Sequence, residues 1–406
     1  MVWLIRLASI AAALGFCFGV DMLARSGDAL VIRLVTLAGL YVTLSVSLNL
    51  INGITGQFSI GHAAFYQVGA YTGGYISATY AKGLVPDKDP VMAAVYLIGF
   101  MIVGALAAGL AGFIVGLPSL RLKGDYLAIV TLGFGEIIRI VVQNTQQLGG
   151  SYGLNVTPKI QMIWLVWLLA IICIAVCRNL LKSAHGLPFL AVREDEIAAS
   201  AMGVNLTKVK VTAFVIGSAF AGAAGALLAN FEVFITPQTF NMDVSFIILT
   251  MVVLGGTGSI TGSAIAGATL YYLPEKLRDM DPIKGSALVA AIVAAIATVA
   301  TLKWLVDHFH GTKLKKAGVI VGTVIGGIII QMILSKLLGG VKVLHDASFE
   351  ASKLRMVIFA GTLIVLMLLR PQGLFAHHEF SWEWLIKTLK GIGAFVSGRK
   401  KQEAAS

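Results

Sequence analysis

Apolar residues in this chain come in unbroken runs of about twenty, the length that crosses the hydrocarbon of a bilayer as a helix rising about 1.5 Å per residue. The runs fall at roughly 2–20, 29–51, 91–117, 123–142, 162–181, 206–230, 283–302, 317–337 and 354–370. Two further stretches, 54–79 and 243–273, are apolar but interrupted. Glycines 53, 56, 61, 69, 73 and 74 run along the first, and Gly255-Gly256-Thr257-Gly258-Ser259 sits in the middle of the second. A helix broken at membrane depth is viable only where protein or water satisfies its freed backbone groups, so both stretches are expected to line a path. The expected fold class is all-α: a polytopic transmembrane helical bundle with two broken or re-entrant helices.

Composition agrees. Of 406 residues 57% are hydrophobic and 13% charged, whereas a soluble domain carries roughly 25% charge. The 45 glycines follow no collagen-like period; in membrane helices small residues let backbones approach closely. The net charge is 31 − 20 = +11, but the cations cluster between apolar runs, so the positive-inside rule accounts for them and nucleic acid is not an expected partner. Arg178, Lys182, Arg193, Lys208 and Lys210 place the 178–210 region in the cytoplasm; Lys303, Lys313, Lys315 and Lys316 do so for 303–316, and the tail carries Lys387, Lys390, Arg399, Lys400 and Lys401. The 80–90 and 143–161 loops suit the outside. These assignments agree only if 243–273 enters and leaves on one side, as a hairpin broken at its glycines would. Residues 1–20 read as a retained first helix, not a cleaved signal, because no small-x-small site follows. Phe380, Trp382, Trp384, Leu385 and Leu389 among lysines make 376–406 a cytoplasmic amphipathic, partly disordered tail in contact with membrane lipid. Cys17, Cys173 and Cys177 lie in apolar runs without metal-ligand spacing.

The cytoplasmic loop 182–205 is the most informative stretch. Its sequence GLPFLAVREDEIAASAMGVN, from Gly186 to Asn205, predicts a helix over 193–203 that begins near Arg193. Glu194, Asp195 and Glu196 would occupy its first turn, where acids complement the helix dipole. Gly203 would be its left-handed cap. Ala198, Ala199 and Ala201 would let another surface approach. A helix this short is marginal in water and needs a partner. Lying flat on lipid headgroups is the bland alternative, and three acids beside an anionic leaflet oppose it.

Within the spans, Ser59 and His62 are three apart and would share a helical face. His62 would either meet a substrate carboxylate or gate the path, or else bond backbone at a glycine break. Gln57 is a weaker path candidate, and Tyr66 reads as packing. Glu136 and Arg139 are ionisable groups inside a span, expected to neutralise each other, with substrate contact and proton relay as alternatives. Asp125 reads as a helix-terminus group. The Gly255, Gly256, Thr257, Gly258 break would free backbone near the membrane centre, either to hold a carboxylate or for close helix packing. No phosphate-binding Gly-x4-Gly-Lys-Ser/Thr loop, metal spacing or nucleophile–base arrangement is present, so the chain is not expected to be an enzyme.

Four stretches carry a family resemblance: GQFSIGHAAFYQVGAY at 56–71, GDYLAIVTLGFGEIIRI at 124–140, the 186–205 loop, and LGGTGSITGSAIAGA at 254–268, with Arg370-Pro371-Gln372-Gly373-Leu374 at the end of the last span. Together they resemble the membrane permease subunit of branched-chain amino-acid ABC importers, over most of 29–278 and 354–375. The resemblance implies a second homologous permease subunit in a heterodimer, two cytoplasmic ATPase subunits that bind ATP and Mg, and a periplasmic substrate-binding protein, in a bacterial inner membrane. It makes 193–203 the coupling helix, with Ala198, Ala199 and Gly203 as its alanine–glycine signature. This chain itself would bind no cofactor. The chain departs from that pattern at about 279–353, where two apolar runs joined by a basic loop read as an inserted helical hairpin within a permease domain of 1–375. Permeases for urea or short amides look similar and remain open as the cargo reading. An ion-coupled secondary transporter is the alternative from another class, although Glu136 alone would serve it as a carboxylate at depth.

Overall fold

As far as residue 278, each apolar run of about twenty residues becomes one helix, and the breaks fall at polar or glycine-containing stretches. The computed structural model describes residues 2–84, 90–119, 124–157, 159–278, 283–284, 348–349 and 373. In order these are α1 (Val2–Arg25), α2 (Ala29–Asn49), α3 (His62–Leu84), α4 (Pro90–Ser119), α5 (Asp125–Asn144), α6 (Ile163–Lys182), α7 (Leu187–Glu194), α8 (Glu196–Ala201), α9 (Leu206–Glu232), α10 (Met242–Gly255) and α11 (Ile260–Arg278). An under-wound π turn, Leu50–Ile54, prolongs α2. Among the described residues six helices are long and apolar enough to cross a membrane. This is a multi-pass membrane protein. Residues up to Gly267 form one compact unit and residues 268–373 another.

In the first unit α9 is the central helix. Its alanine- and glycine-rich run from Ala221 to Ala229 is buried throughout. α4 runs antiparallel along it, Gly104 facing Ala226, Gly112 facing Ser218 and Gly116 facing Phe214. α3 runs parallel to it, Gly69 facing Gly222 and Gly73 facing Ala226. At Gly69 and Gly222 backbone meets backbone, the spacing that only small residues permit and that drives helix association in lipid. This explains why α3, with its glycines, tyrosines and threonines, falls short of a membrane-span hydropathy: neighbouring helices, not lipid, cover much of it.

The first interruption is narrower than expected. The chain is non-helical only from Thr55 to Gly61, and Gly69, Gly73 and Gly74 sit inside a continuous α3 as packing surfaces, not breaks. The second interruption is a reversal, as the charge pattern demanded. Gly255 backs onto the Gly262 carbonyl, and Gly258, Ser263 and Gly267 then climb α2 past Asn49, Ser45 and Tyr41. α11 is therefore antiparallel to α2 at least as far as Gly267.

The two ends of this unit differ. At one, Leu154–Asn155 (β1) pairs with Phe234–Ile235 (β2), Arg33 pairs with Glu232 at 3.1 Å, and Arg25 reaches the Gln161 carbonyl. At the other lie α7 and α8. The 20-residue α6 separates them, so the 143–161 and 182–205 loops fall at opposite ends. The three cysteines are free and buried.

In the second unit, Ile283–Lys284 (β3) pairs antiparallel with Ser348–Phe349 (β4). Residues 283 and 284 are thus strand, where the apolar pattern predicted the start of a helix. The two ends of the inserted segment meet there. The expected spans 283–302, 317–337 and 354–370 and the 376–406 tail lie otherwise outside the described residues.

Candidate functional site

The loop between α6 and α9 folds as two short helices, not as one helix over 193–203. Pro188 opens α7, whose Phe189 and Val192 are buried. At Asp195 the backbone turns extended (φ −156°, ψ 115°), and the carboxylate accepts from the Ile197 and Ala198 amides at 2.7 and 3.1 Å. Asp195 is an N-cap, satisfying amides that the helix cannot. Glu194 is consequently the last residue of α7, and only Glu196 lies in the first turn of α8. The far end behaves as expected: Gly203 is left-handed at φ +82°, and Val204 N donates to the Ala199 carbonyl. Ile197 and Met202 are 76% and 85% exposed, and Ala198, Ser200 and Ala201 are also exposed. Ala199 is buried, so it cannot belong to an approach surface. Glu196 Oε1 accepts from the buried Lys210 Nζ at 2.6 Å, pinning α8 to α9. A groove of about 560 Å³ opens between α8 and the first turn of α9, along Ile197, Ser200, Ala201 and Thr207.

Arg193 points the other way. Its Nε donates to Glu194 Oε1 at 3.0 Å, while Nη1 lies 3.0 Å from where a Cβ on Gly258 would stand and Cγ 3.4 Å from one on Gly56. Both glycines have positive φ, +92° and +70°, a conformation that costs a side chain dearly. The loop, the start of the first interruption and the hairpin turn therefore meet at one side chain.

The hairpin turn is not at the membrane centre. It lies at the inner end of α2, where Gly53 packs on the Gly258 amide. Nor does it offer free backbone. Asn49 Oδ1 accepts from Gly258 N at 2.8 Å and Asn49 Nδ2 donates to the Ser259 carbonyl at 3.0 Å. Ser259 N and Gly262 N donate to the Gly256 carbonyl and Ser259 Oγ. Thr257 is half-buried at the turn. Of the two readings of this break, close helix packing fits: Gly255 backs onto Gly262, and the Gly256, Gly258, Ser259 and Gly262 amides are bonded within the chain. Asn49 was missed from the sequence; its signal was an amide inside an apolar run. Asn49→Leu leaves the part-buried Gly258 N–H unsatisfied, at about 1–3 kcal/mol, while the Ser259 carbonyl keeps Ser263 N and Oγ as donors. The substitution is expected to lower the melting temperature of the detergent-solubilised chain; an unchanged melting curve would dismiss this clasp.

Ser59 and His62 do not share a helical face, because Ser59 precedes the helix that His62 begins. Asn52 clamps the Ser59 backbone, donating to its carbonyl at 3.0 Å and accepting from its amide at 3.2 Å. Thr131 Oγ1 accepts from Ile60 N, and Ser245 Oγ from Ala63 N. His62 is fully buried, with Nε2 2.8 Å from Ser47 Oγ, so its partner is a hydroxyl and not backbone. Gln57 Nε2 donates to Thr55 Oγ1 at 2.8 Å. His62 Nδ1, Ser59 Oγ and Gln57 Oε1 are buried without a protein partner among the described residues. Tyr66 packs edge-on against Phe240.

Half-way along α5, Arg139 Nη2 lies 2.8 Å from Glu136 Oε2, each side chain about a quarter exposed. Gln143 continues that flank, its Oε1 3.5 Å from Arg139 Nη1. Glu136 borders a narrow cleft between α5, the first turn of α3 at Ala63 and the start of α10 at Asn241 and Ser245. Asp125 begins α5.

Residues 30–280 match the family described as branched-chain amino acid transport system / permease component. The chain is 34% identical over 285 residues to the high-affinity branched-chain amino acid transport system permease protein LivM of Escherichia coli K12, covering 62% of this chain and 64% of that one. It is 30% identical to the probable LivM of Methanocaldococcus jannaschii, over 60% of this chain and 79% of that one. To LivH of Salmonella typhimurium the identity is 29%, over 58% and 81%. The match spans just under two thirds of the Escherichia coli relative. No solved structure matches the chain. On the family match and these relatives, this chain belongs to the branched-chain amino acid transport system permease component family.

Proposed function

We propose that this chain is a translocation-pore subunit of an ATP-binding-cassette importer for branched-chain, or other small hydrophobic, amino acids. Its relatives carry that transport in their names. The observation that carries the reading for this chain is α8: a capped helix of six residues, tied to the bundle by Glu196 and Lys210 and presenting Ile197 and Met202 outward. Two exposed apolar side chains on so short a helix suit a surface that another protein covers. Separate cytoplasmic ATPases holding ATP and Mg would dock there, Ile197 bordering the groove against α9. A second, homologous permease would complete the pore, because relatives of both the LivM and LivH kinds match this chain. A periplasmic binding protein would deliver the cargo at the end carrying β1 and β2. The bacterial inner membrane is the setting. Buried polar atoms without protein partners at Gln57, Ser59 and His62 suit a path that water or cargo visits, and this chain would bind no cofactor itself.

The test is ATP-driven leucine uptake into vesicles holding the complex that co-purifies with the chain. Ile197→Arg puts a charge into the docking surface and is expected to lower uptake about tenfold, within the usual range of truncated interface anchors. Competition by urea would redirect the cargo to short amides. Uptake that survives removal of ATP and collapses with an uncoupler would reject the ATP-driven reading.

A further inference from the structure

Resting on the importer reading, we infer that Arg193 is the joint through which movement of the docking helices reaches the two interrupted segments. It is a positioning residue and not a contact for the ATPase. Three observations lead there. The first is direction: α8 presents its exposed residues outward, whereas the Arg193 side chain, one turn earlier, is only 25% exposed and runs back to the bundle. The second is what it touches. Its stem lies on Gly56, at the start of the non-helical 55–61 segment, and its Nη1 lies on Gly258, in the hairpin turn. At Gly258 the guanidinium takes the space that a side chain would fill, and at Gly56 the Arg193 stem and backbone lie in contact. The third is what those glycines hold. Gly53 and Asn49 fasten the hairpin turn to the end of α2, through a π turn at Leu50–Ile54. Under-wound turns of this kind are common at functional sites and change winding readily.

The linkage is therefore short. The Arg193 guanidinium is anchored to Glu194 on its own helix through both Nε and Nη2. A displacement of α7 carries the guanidinium with it, and that pushes on the hairpin turn and the first interruption together. The second tether, Glu196 to Lys210, moves α9. Lys210 in turn lends its carbonyl to Gln57 Nε2 at 3.5 Å, so both tethers end on the 55–61 segment.

The experiment uses the full complex that co-purifies with the chain, measuring bound ATPase, ATP hydrolysis and leucine uptake on the same vesicles. With Arg193→Ala the ATPase stays at wild-type stoichiometry and hydrolysis holds within about twofold, while uptake per ATP falls at least tenfold, within the range that coupling between sites spans. Arg193→Lys keeps the stem and charge without the fork and recovers part of it. Gly258→Ala attacks the same contact from the other side and reproduces the uncoupling. Loss of bound ATPase in Arg193→Ala would make Arg193 a docking residue and overturn the inference. Uptake and hydrolysis falling together with folded protein, or an unchanged uptake per ATP, would overturn it too. Failure of the importer reading shows itself differently: the wild-type complex would lack either the ATPase or ATP-driven uptake.

Discussion

Gly222→Leu is expected to remove the folded protein from the membrane altogether. A Cβ on Gly222 would run into the Ala108 Cβ and the Gly104 carbonyl of α4, and the Gly222 carbonyl is what a Cβ on Gly69 of α3 would strike. Three helices meet at this glycine, and two of the obstructing atoms are backbone, so no flexible side chain can swing away. Overpacking an ordinary core costs about 1–3 kcal/mol. Here α4 must back off from α9, and the Gly69–Gly222 contact loosens with it. That loss falls on an association held by close packing in lipid, within a total stability of about 5–15 kcal/mol. The measurement is the yield of monodisperse protein after solubilisation in mild detergent. Gly99→Leu is the matched control: it lies on the same α4, where a Cβ meets nothing within 4 Å, and its yield should equal that of wild type. Equal yields for both variants would mean that the α3–α4–α9 contact does not hold the fold.

The contrast between Gly99 and Gly222 shows what can be read from this sequence. That the 91–117 run forms a helix follows from its length alone, and the structure has α4 there. Which of its glycines carries a neighbouring backbone does not follow, because that depends on register against a helix a hundred residues away. The reversal at 255–259 was legible from charge, since the cationic loops fit one side only if the chain turns back. Its depth was not: α10 begins only after β2 and a 3-10 turn at Pro237–Phe240, which moves the turn to the inner end of α2. In the loop, Asp195 was legible in principle as a cap, being an Asp just ahead of a short alanine-rich helix. Flanked by Glu194 and Glu196 it reads equally well as one of three first-turn acids, and only the backbone decides. Ala199 was misplaced for the same reason, because the buried face of a six-residue helix is set by the surface beneath it.

Glu136 and Arg139 were legible as a pair, and their worth is the second large expected effect. An ionised side chain at the centre of a membrane helix costs about 2.5–3.5 kcal/mol on insertion scales, and the 2.8 Å contact cancels much of this by letting each charge serve the other. Glu136→Leu leaves Arg139, about a quarter exposed, with only the 3.5 Å contact to Gln143. The expected loss approaches the full figure, which is about a hundredfold in the folded-to-unfolded ratio at about 1.4 kcal/mol per tenfold. Arg139→Leu strands the carboxylate beside the cleft at Ala63 and Asn241 with the same result. The double variant Glu136→Leu/Arg139→Leu removes both charges and is expected to regain most of that stability, because replacing a buried pair by apolar residues is often neutral. A denaturation series on the four proteins in detergent gives the coupling energy; additive losses would show that the two residues do not depend on each other. Uptake by the double variant then separates the two roles weighed for the pair. Recovery of transport along with stability makes it structural, whereas a stable chain without transport places the pair on the route of a zwitterionic cargo, whose carboxylate and ammonium are the natural counterparts of an arginine beside a glutamate.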